Sequence, residues 1–269
     1  MRSGKHESKK LVSIFLTASM CYPTVLNSTT TFADGITFDE TEYAQPLTSQ
    51  PPLTFATKSG GTDGIVTVVV DKNAELCNLT IPSKVDDKPI VGVKQSAFKG
   101  CNNLRGMLNL NSVTAIGNSA FEACLSLEKI VIGAPIVGIG NAAFCSCHRL
   151  KEIEGLAKVT AVGADAFTQC HQLAGLTFGS GLTTIGASAF SHCYGLMSVD
   201  LSIVTSGCAI GSSAFEGCDG LQKVEFEKSD TEIIIDPIAF KDCWKLTEVV
   251  RNGRSGVTAD KFGPQTIVV

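Results

Sequence analysis

Hydrophobic residues recur along this chain with a period of 23 to 25 residues. The segment Ala-Phe-x-x-Cys-x-x-Leu occurs seven times, and a branched aliphatic residue precedes each phenylalanine by five positions. The phenylalanines are Phe98, Phe121, Phe144, Phe167, Phe190, Phe215 and Phe240. Because a unit of this length cannot bury its own apolar face, the pattern predicts a solenoid in which each coil covers the next.

A short stretch of alternating apolar and polar residues follows the leucine of each unit, for example Val-Glu-Phe at positions 224–226. Period two with branched and aromatic residues predicts a strand. One strand per coil, stacked in parallel, predicts a continuous sheet along one face of the solenoid. The arc around Ala-Phe-x-x-Cys is too short for a helix and favours a 3₁₀ or irregular turn.

A glycine follows the branched aliphatic residue in the five middle units, at Gly117, Gly140, Gly163, Gly186 and Gly211. Glycine accepts positive φ without steric cost, so these positions are expected to be turns of that kind.

The register Cys-x-x-Leu-x-x-Ile-x-Ile, followed by Ile-Gly-x-x-Ala-Phe, resembles the BspA-like leucine-rich repeat family, a bacterial and protozoan surface class with 23-residue repeats. Residues 77–98 resemble the first unit of that family, and residues 64–70 resemble its capping strand. The resemblance implies a leucine-rich repeat solenoid with one short parallel strand per coil on one face and 3₁₀ or irregular turns on the other. It also implies an adhesin-like role, although members of the family share a scaffold and bind different things.

The termini predict the domain organisation. Residues 1–33 combine a basic stretch with the apolar run 11–21, which is typical of a secretory signal peptide and too short to span a membrane. A lipidated Cys21 is the less favoured alternative, because Met20 is a poor residue before such a cysteine. Residues 34–53 are predicted to be a linker or disordered lead-in, and residues 54–76 are predicted to form N-terminal capping strands. Residues 77–269 are predicted to form the solenoid, which has seven clear units and an eroded eighth unit as its C-terminal cap. The predicted location is secreted or cell-surface.

Charge restricts the class of partner. Without residues 1–33 the chain keeps 18 basic and 25 acidic residues, a net charge of −7. Nucleic acids and anionic membranes both require a basic face, so neither is expected as a partner.

Seven of the 11 cysteines occupy one repeat position, at Cys101, Cys124, Cys147, Cys170, Cys193, Cys218 and Cys243. We call this set the cysteine ladder. A small polar side chain pointing inward at this position can satisfy backbone groups left free at the turn. The ladder is therefore predicted to consist of buried, reduced thiols, although disulfides between neighbouring coils remain the alternative.

Chemistry at other residues is not favoured. Cys147-His148, Cys170-His171 and His192-Cys193 lie on three successive coils and include ligands that zinc or copper accepts. If the cysteines point inward, however, His148 and His171 point outward and cannot share a metal with them. No P-loop, Gly-x-Ser-x-Gly elbow or His-Glu-x-x-His motif is present. No enzymatic activity, cofactor or metal is therefore predicted.

The sheet face provides the remaining candidate site. Alternation along the strands points a mainly acidic set outward: Lys129, Glu152, Glu154, Asp200, Lys223, Glu225, Glu227 and Glu248. We call these eight residues the charged strip. The leading hypothesis is an exported, non-enzymatic, adhesin-like module that binds a host or neighbouring-cell surface protein through this strip. The alternative is a structural spacer in a cell-surface layer, in which the carboxylates only keep the sheet soluble.

Overall fold

The computed structural model describes residues 13–14, 30–31, 37–38, 53–57, 64–69, 76–85, 87–204, 207–226, 232–253, 257–262 and 266–268. These residues form 22 short strands, two 3₁₀ turns (Leu156–Lys158 and Ala259–Lys261) and no α-helix. The strands are β1 (Ser13–Ile14), β2 (Thr30–Thr31), β3 (Thr37–Phe38), β4 (Leu53–Thr57), β5 (Gly64–Val69), β6 (Leu76–Thr80), β7 (Lys84–Val85), β8 (Lys88–Val93), β9 (Leu104–Asn109), β10 (Ala115–Ile116), β11 (Leu127–Val131), β12 (Gly138–Ile139), β13 (Glu152–Glu154), β14 (Ala161–Val162), β15 (Gly175–Thr177), β16 (Thr184–Ile185), β17 (Ser198–Leu201), β18 (Ala209–Ile210), β19 (Lys223–Phe226), β20 (Ile234–Ile235), β21 (Glu248–Val250) and β22 (Ile267–Val268).

The strands stack into a parallel solenoid, which confirms the predicted fold class. The longer strands form two sheets on one side, which we call the sheet face, in the orders β13-β11-β9-β6 and β15-β17-β19-β21-β22. The N-terminal hairpin of β4 and β5 is antiparallel, and β5 then pairs in parallel with β8. Most of the predicted signal peptide and lead-in lies outside the described residues, and the domain boundaries stay predictions.

Each coil contributes one strand to the sheet face, as predicted, and a second, shorter strand that the sequence analysis did not predict. A second parallel ladder runs through β8, β10, β12, β14, β16, β18 and β20, and most of these strands have two residues. In β10, Ala115 is exposed and Ile116 is buried. Two residues are too few to show a period of two, which is why the sequence pattern did not indicate this ladder.

The sheet face is interrupted between β13 and β15, which corrects the prediction of a continuous sheet. In four other coils the position five residues after the repeat leucine holds a buried apolar side chain, which is Ile132, Phe178, Leu201 or Phe226. In the third coil this position is Gly155, with a φ of 82°, and the chain enters a 3₁₀ turn in which Leu156 is buried. β13 ends at Glu154 and is not a neighbour of β15 in the sheet order, so the sheet face consists of two sheets.

The seven repeat phenylalanines form one continuous stack inside the solenoid. Centroids of successive rings lie 4.9 to 5.4 Å apart, and the ring planes deviate from parallel by 11° or less. Phe262 extends the stack at 4.9 Å with a tilt of 40°. All seven repeat rings are almost fully buried, so this stack is a main part of the core.

The repeat glycines permit close approach between coils. None of them has positive φ, so the predicted reason for their presence is wrong. A Cβ at Gly140 would lie 2.6 Å from the backbone nitrogen of Asn118, and one at Gly186 would lie 2.6 Å from that of Ala164. Glycine is needed here because any side chain would collide with the preceding coil.

Positive φ occurs instead on both sides of each phenylalanine, mostly at residues other than glycine. The residues two positions before it are Ser96, Ser119, Ala142, Asp165, Ser188 and Ser213, and those two positions after it include Ala123, Ser146, Gln169 and His192. Hydrogen bonds between coils offset this strain: Ser119 N donates to Asn141 O at 2.8 Å, and Phe121 N donates to Ala143 O at 2.7 Å. The turning arc is thus hydrogen-bonded from coil to coil like the sheets.

Phe167→Ala removes a ring from the middle of the stack and leaves a cavity between Phe144 and Phe190. We expect the free energy of unfolding to fall by about 3 to 5 kcal/mol, measured by chemical denaturation. Phe167→Leu retains most of the volume and serves as a control with a loss below about 1.5 kcal/mol. A Phe167→Ala variant as stable as its parent would contradict the role of the stack.

Gly138 and Gly140 lie on one coil and together test whether the repeat glycines are needed for close approach between coils. Gly140→Ala should destabilise the protein by about 1 to 3 kcal/mol, because its Cβ meets backbone that cannot move aside. Gly138→Ala should have little effect, because nothing lies within 4 Å of its Cβ. Thermal and chemical denaturation of both variants check this, and equal stabilities would show that the interpretation is wrong.

Candidate functional site

The cysteine ladder points into the core and satisfies backbone carbonyls. Six of its thiols donate to the carbonyl oxygen of the phenylalanine in the preceding coil, at 3.1 to 3.4 Å. Cys147 Sγ, for example, donates to Phe121 O, which also accepts a hydrogen bond from Cys124 N. The predicted structural role of this position is confirmed.

Burial makes these thiols poor nucleophiles. Desolvation raises the pKa of Cys147 and of Cys193 to about 12, and it raises the pKa of Cys170 and Cys218 well above the usual value. No disulfide joins the ten cysteines that the structure describes. Reaction requires the thiolate, so these four thiols are poor nucleophiles while the protein is folded.

The histidines that adjoin the ladder form a stacked row of rings on the surface. The rings of His148 and His171 are 4.6 Å apart, and His171 stacks on Tyr194 at 5.0 Å. His192 meets Tyr194 edge-on at 5.9 Å. Partial burial, followed by the nearby His148 and His192, lowers the pKa of His171, so its ring favours the neutral form.

A metal site at these histidines is not supported by the geometry. The nitrogen lone pairs of face-to-face imidazoles are parallel and do not converge on one point, and the neighbouring ladder thiols are hydrogen-bonded inside the core. Within the described ranges, no group of three or more His, Cys, Asp or Glu side chains could hold a metal ion.

The charged strip begins with a cluster on the first sheet. Register places Lys129 of β11 beside Glu152 of β13, and Val131 beside Glu154. The Lys129 ammonium lies 3.2 Å from Glu152 and 3.0 Å from Glu154, and both glutamate side chains are 59% exposed. Hydrogen bonds to Glu154 and then Glu152 raise the pKa of Lys129. We call these three residues the first charged cluster.

An equivalent cluster lies on the second sheet. Lys223 of β19 contacts Glu225 at 3.0 Å and Glu248 of β21 at 3.6 Å. The hydrogen bond to Glu225 is the main cause of the raised pKa of Lys223. Lys223, Glu225 and Glu248 are the second charged cluster. In each cluster two carboxylates surround one lysine, so each has a net charge of −1.

The structure does not bring the whole charged strip together. Between the two clusters lie the break in the sheet and the uncharged outward residues of β15, Gly175 and Thr177. Asp200 is half-buried. Its Oδ1 accepts a hydrogen bond from Ser202 N at 2.8 Å, so its carboxylate stabilises the turn that follows β17. Glu227 lies outside the described residues. The candidate site is therefore two acidic clusters separated by a neutral surface.

Two exposed apolar residues are not among the predicted site residues. Met197, which precedes β17, is 53% exposed, and Trp244 is 67% exposed. Trp244, Tyr194 and His171 all directly follow a ladder cysteine. An alignment of the repeats would have revealed these three aromatic residues, because they share one repeat position.

The repeat region matches a known family. A family model for the BspA type leucine rich repeat region matches residues 71–197 and 197–256, with six copies. The chain belongs to this family. Its membership confirms the resemblance based on the Cys, Leu and Ala-Phe positions of the repeat.

Solved structures of bacterial leucine-rich repeat proteins share the fold. The leucine rich repeat protein of T. pallidum is 26% identical, with a TM-score of 0.61, and the match covers 72% of this chain and 87% of that one. A leucine rich cell surface protein of Faecalibacterium prausnitzii A2-165 is 21% identical, with a TM-score of 0.52 and coverage of 77% and 71%, and it shows the fold alone. No curated protein matches the chain.

Family membership supports general statements about function. BspA-type repeat proteins are typically non-enzymatic, and leucine-rich repeat proteins generally bind proteins. In the part of the chain that the structure describes, no helix has the length and hydropathy to cross a bilayer.

The cysteine ladder predicts a specific pattern of thiol reactivity. Native protein should expose few thiols to an alkylating reagent, whereas protein denatured without reductant should expose at least the seven of the ladder. Mass spectrometry of the alkylated protein checks both states. If denaturation alone releases two or fewer thiols, the ladder is disulfide-bonded and the prediction is wrong.

Proposed function

We propose that the protein is an exported, non-enzymatic, adhesin-like module that binds a basic protein on a host or neighbouring cell through its sheet face. The observation that carries this proposal is the pair of exposed acidic clusters on a hydrogen-bonded scaffold. Each cluster has a net negative charge and lies on regular strands, so its side chains are held in a repeatable arrangement. Complementary charge of this kind favours specificity and fast association with a basic partner.

The rigidity of the solenoid supports a binding role. The core beneath the sheet face is continuous. The strand that carries each cluster's lysine is hydrogen-bonded to a strand on either side: β11 pairs with β9 and β13, and β19 pairs with β17 and β21. A preformed surface loses little conformational entropy when it binds, which favours affinity. The neutral surface around Gly175 and Met197 lies between the clusters and would be the apolar centre of such an interface.

Location rests on the sequence of residues 1–33, whose basic and apolar segments are typical of an export signal. We infer that the mature chain begins near Asp34 and acts outside the cell.

The test is charge reversal on the sheet face. A partner is first isolated with the protein beginning at Asp34, and its affinity for Glu152→Lys/Glu225→Lys is then compared with that for the parent. We expect a loss of at least about tenfold, because like charges would then face each other across the interface. Circular dichroism of the variant checks that the fold is retained.

A second double variant controls for the change in overall charge. Glu122→Lys/Glu232→Lys has the same net charge but places both reversals away from the sheet face, and it should bind as the parent does. If both double variants keep full affinity, the sheet face is not the binding site. If the protein forms ordered surface assemblies that neither variant disturbs, the spacer alternative is the better account.

A further inference from the structure

The ladder of short strands forms a second surface of the solenoid, and this surface carries almost no charge. We call it the short-strand face and define it by the six residues of each coil that end at the repeat-glycine position: 89–94, 112–117, 135–140, 158–163, 181–186, 206–211 and 231–236. The five middle segments contain one charged residue, Lys158, whose Nζ donates a hydrogen bond to Gly133 O outside these segments. This face therefore differs in chemistry from the charged sheet face.

Opposite charges mark the two ends of the short-strand face. At the repeat-glycine position the first coil has Lys94 and the seventh has Asp236, six coils or about 30 Å away at roughly 4.8 Å per coil. Lys94 is exposed and Asp236 is half-buried. Within the described residues, neither lies within ion-pairing distance of an opposite charge. Asp236 Oδ1 accepts a hydrogen bond from Ile238 N at 3.0 Å, and the carboxylate keeps capacity for a cation.

Exposed apolar side chains lie between these charges. Val137 is 72% exposed and Ile234 is 66% exposed, and both belong to the short-strand face. A shallow groove of about 520 Å³ crosses the fifth to seventh coils, and its lining includes Thr184, Ala187, Ala209, Gly211, Ile234 and Pro237. An uncharged surface with exposed branched side chains is typical of the centre of a protein–protein interface.

The sizes of the side chains along this face are complementary when it is reversed end to end. Two residues before the repeat-glycine position, the second to sixth coils have Ala115, Gly138, Ala161, Thr184 and Ala209. If two copies packed with their solenoid axes antiparallel, Thr184 of one would face Gly138 of the other. Nothing lies within 4 Å of a Cβ at Gly138, so the surface there has room for a larger side chain. Parallel packing would instead set Thr184 against Thr184.

We propose that the short-strand face binds the same face of a second copy of this chain, with the two solenoids antiparallel. The contact is isologous, so Lys94 of each copy meets Asp236 of the other and two ion pairs form. Parallel packing would bring like charges together at both ends, which disfavours it. In the antiparallel dimer Val137 of each copy meets Thr183 of the other, next to the groove, and Ile234 contacts the first coil.

This interface goes beyond the proposed function, because it shares no residue with either charged cluster. Both sheet faces of the dimer stay available to a partner. Two linked copies of one binding surface would raise the apparent affinity for a partner displayed on a cell surface.

The first test is the oligomeric state, measured by sedimentation velocity over a range of concentrations. The full chain and the protein beginning at Asp34 are both used, so that the result does not depend on export. We expect a reversible equilibrium between monomer and dimer in both preparations. A monomer at every concentration, or open-ended assemblies that keep growing, would overturn the proposal.

A substitution at the centre of the face locates the contact. Val137→Asp should weaken the dimer by about tenfold or more, because it buries an unpaired carboxylate in the interface. Met197→Asp changes a side chain that is 53% exposed outside the short-strand face, and it should leave the dimer unchanged. Circular dichroism checks that both variants are folded. An undiminished dimer in Val137→Asp would show that this face is not the interface.

Charge exchange tests the antiparallel arrangement. Lys94→Asp and Asp236→Lys should each weaken the dimer by about tenfold or more when studied alone, because like charges then meet at both ends. An equimolar mixture of the two variants should dimerise as the parent does, since each copy offers the charge that the other lacks. Asp236→Lys also removes the hydrogen bond to Ile238 N, so the melting temperature of each variant is measured. A mixture that dimerises no better than its components would refute the antiparallel dimer.

The sheet-face variant separates the two proposals. Glu152→Lys/Glu225→Lys should dimerise as the parent does, even where it has lost the protein partner. Loss of the dimer in this variant would show that the copies associate through their sheet faces and would overturn the assignment to the short-strand face.

Discussion

The separation of about 5 Å between successive coils is the constraint on which the rest of this structure depends. Parallel strands fix that distance through their hydrogen bonds, and it equals the separation at which the phenylalanine rings stack. Other repeat residues either permit this separation between coils or form contacts because of it. Glycine after the branched aliphatic residue admits the neighbouring backbone, and the thiol of the ladder reaches the carbonyl of the coil before it.

The same constraint organises the surface. Any residue repeated at one position appears again about 5 Å along the solenoid, so surface chemistry comes as rows rather than as pockets. Lys129 is held by two glutamates of the next coil for this reason, and His148 stacks on His171. The sheet face is divided between β13 and β15, so its exposed charges form two clusters instead of one row.

The proposed binding surface uses both halves of the sheet face. The first charged cluster lies on the sheet that contains β11 and β13, and the second lies on the sheet that contains β19 and β21. A single exposed ion pair is worth little, so binding through this face would depend on both clusters contacting the same basic partner.

The sequence by itself determined the solenoid, its number of clear coils, the inward phenylalanine, cysteine and leucine positions, and the outward placement of most of the charged strip. These features follow from the spacing of apolar residues, which is a local property of the chain. Tertiary structure alone decided the second strand ladder, the purpose of Gly140 and its equivalents, the left-handed residues such as Ser119, and the break after Glu154. Each of these depends on how far a residue lies from the neighbouring coil, and that distance is set only when the coils stack.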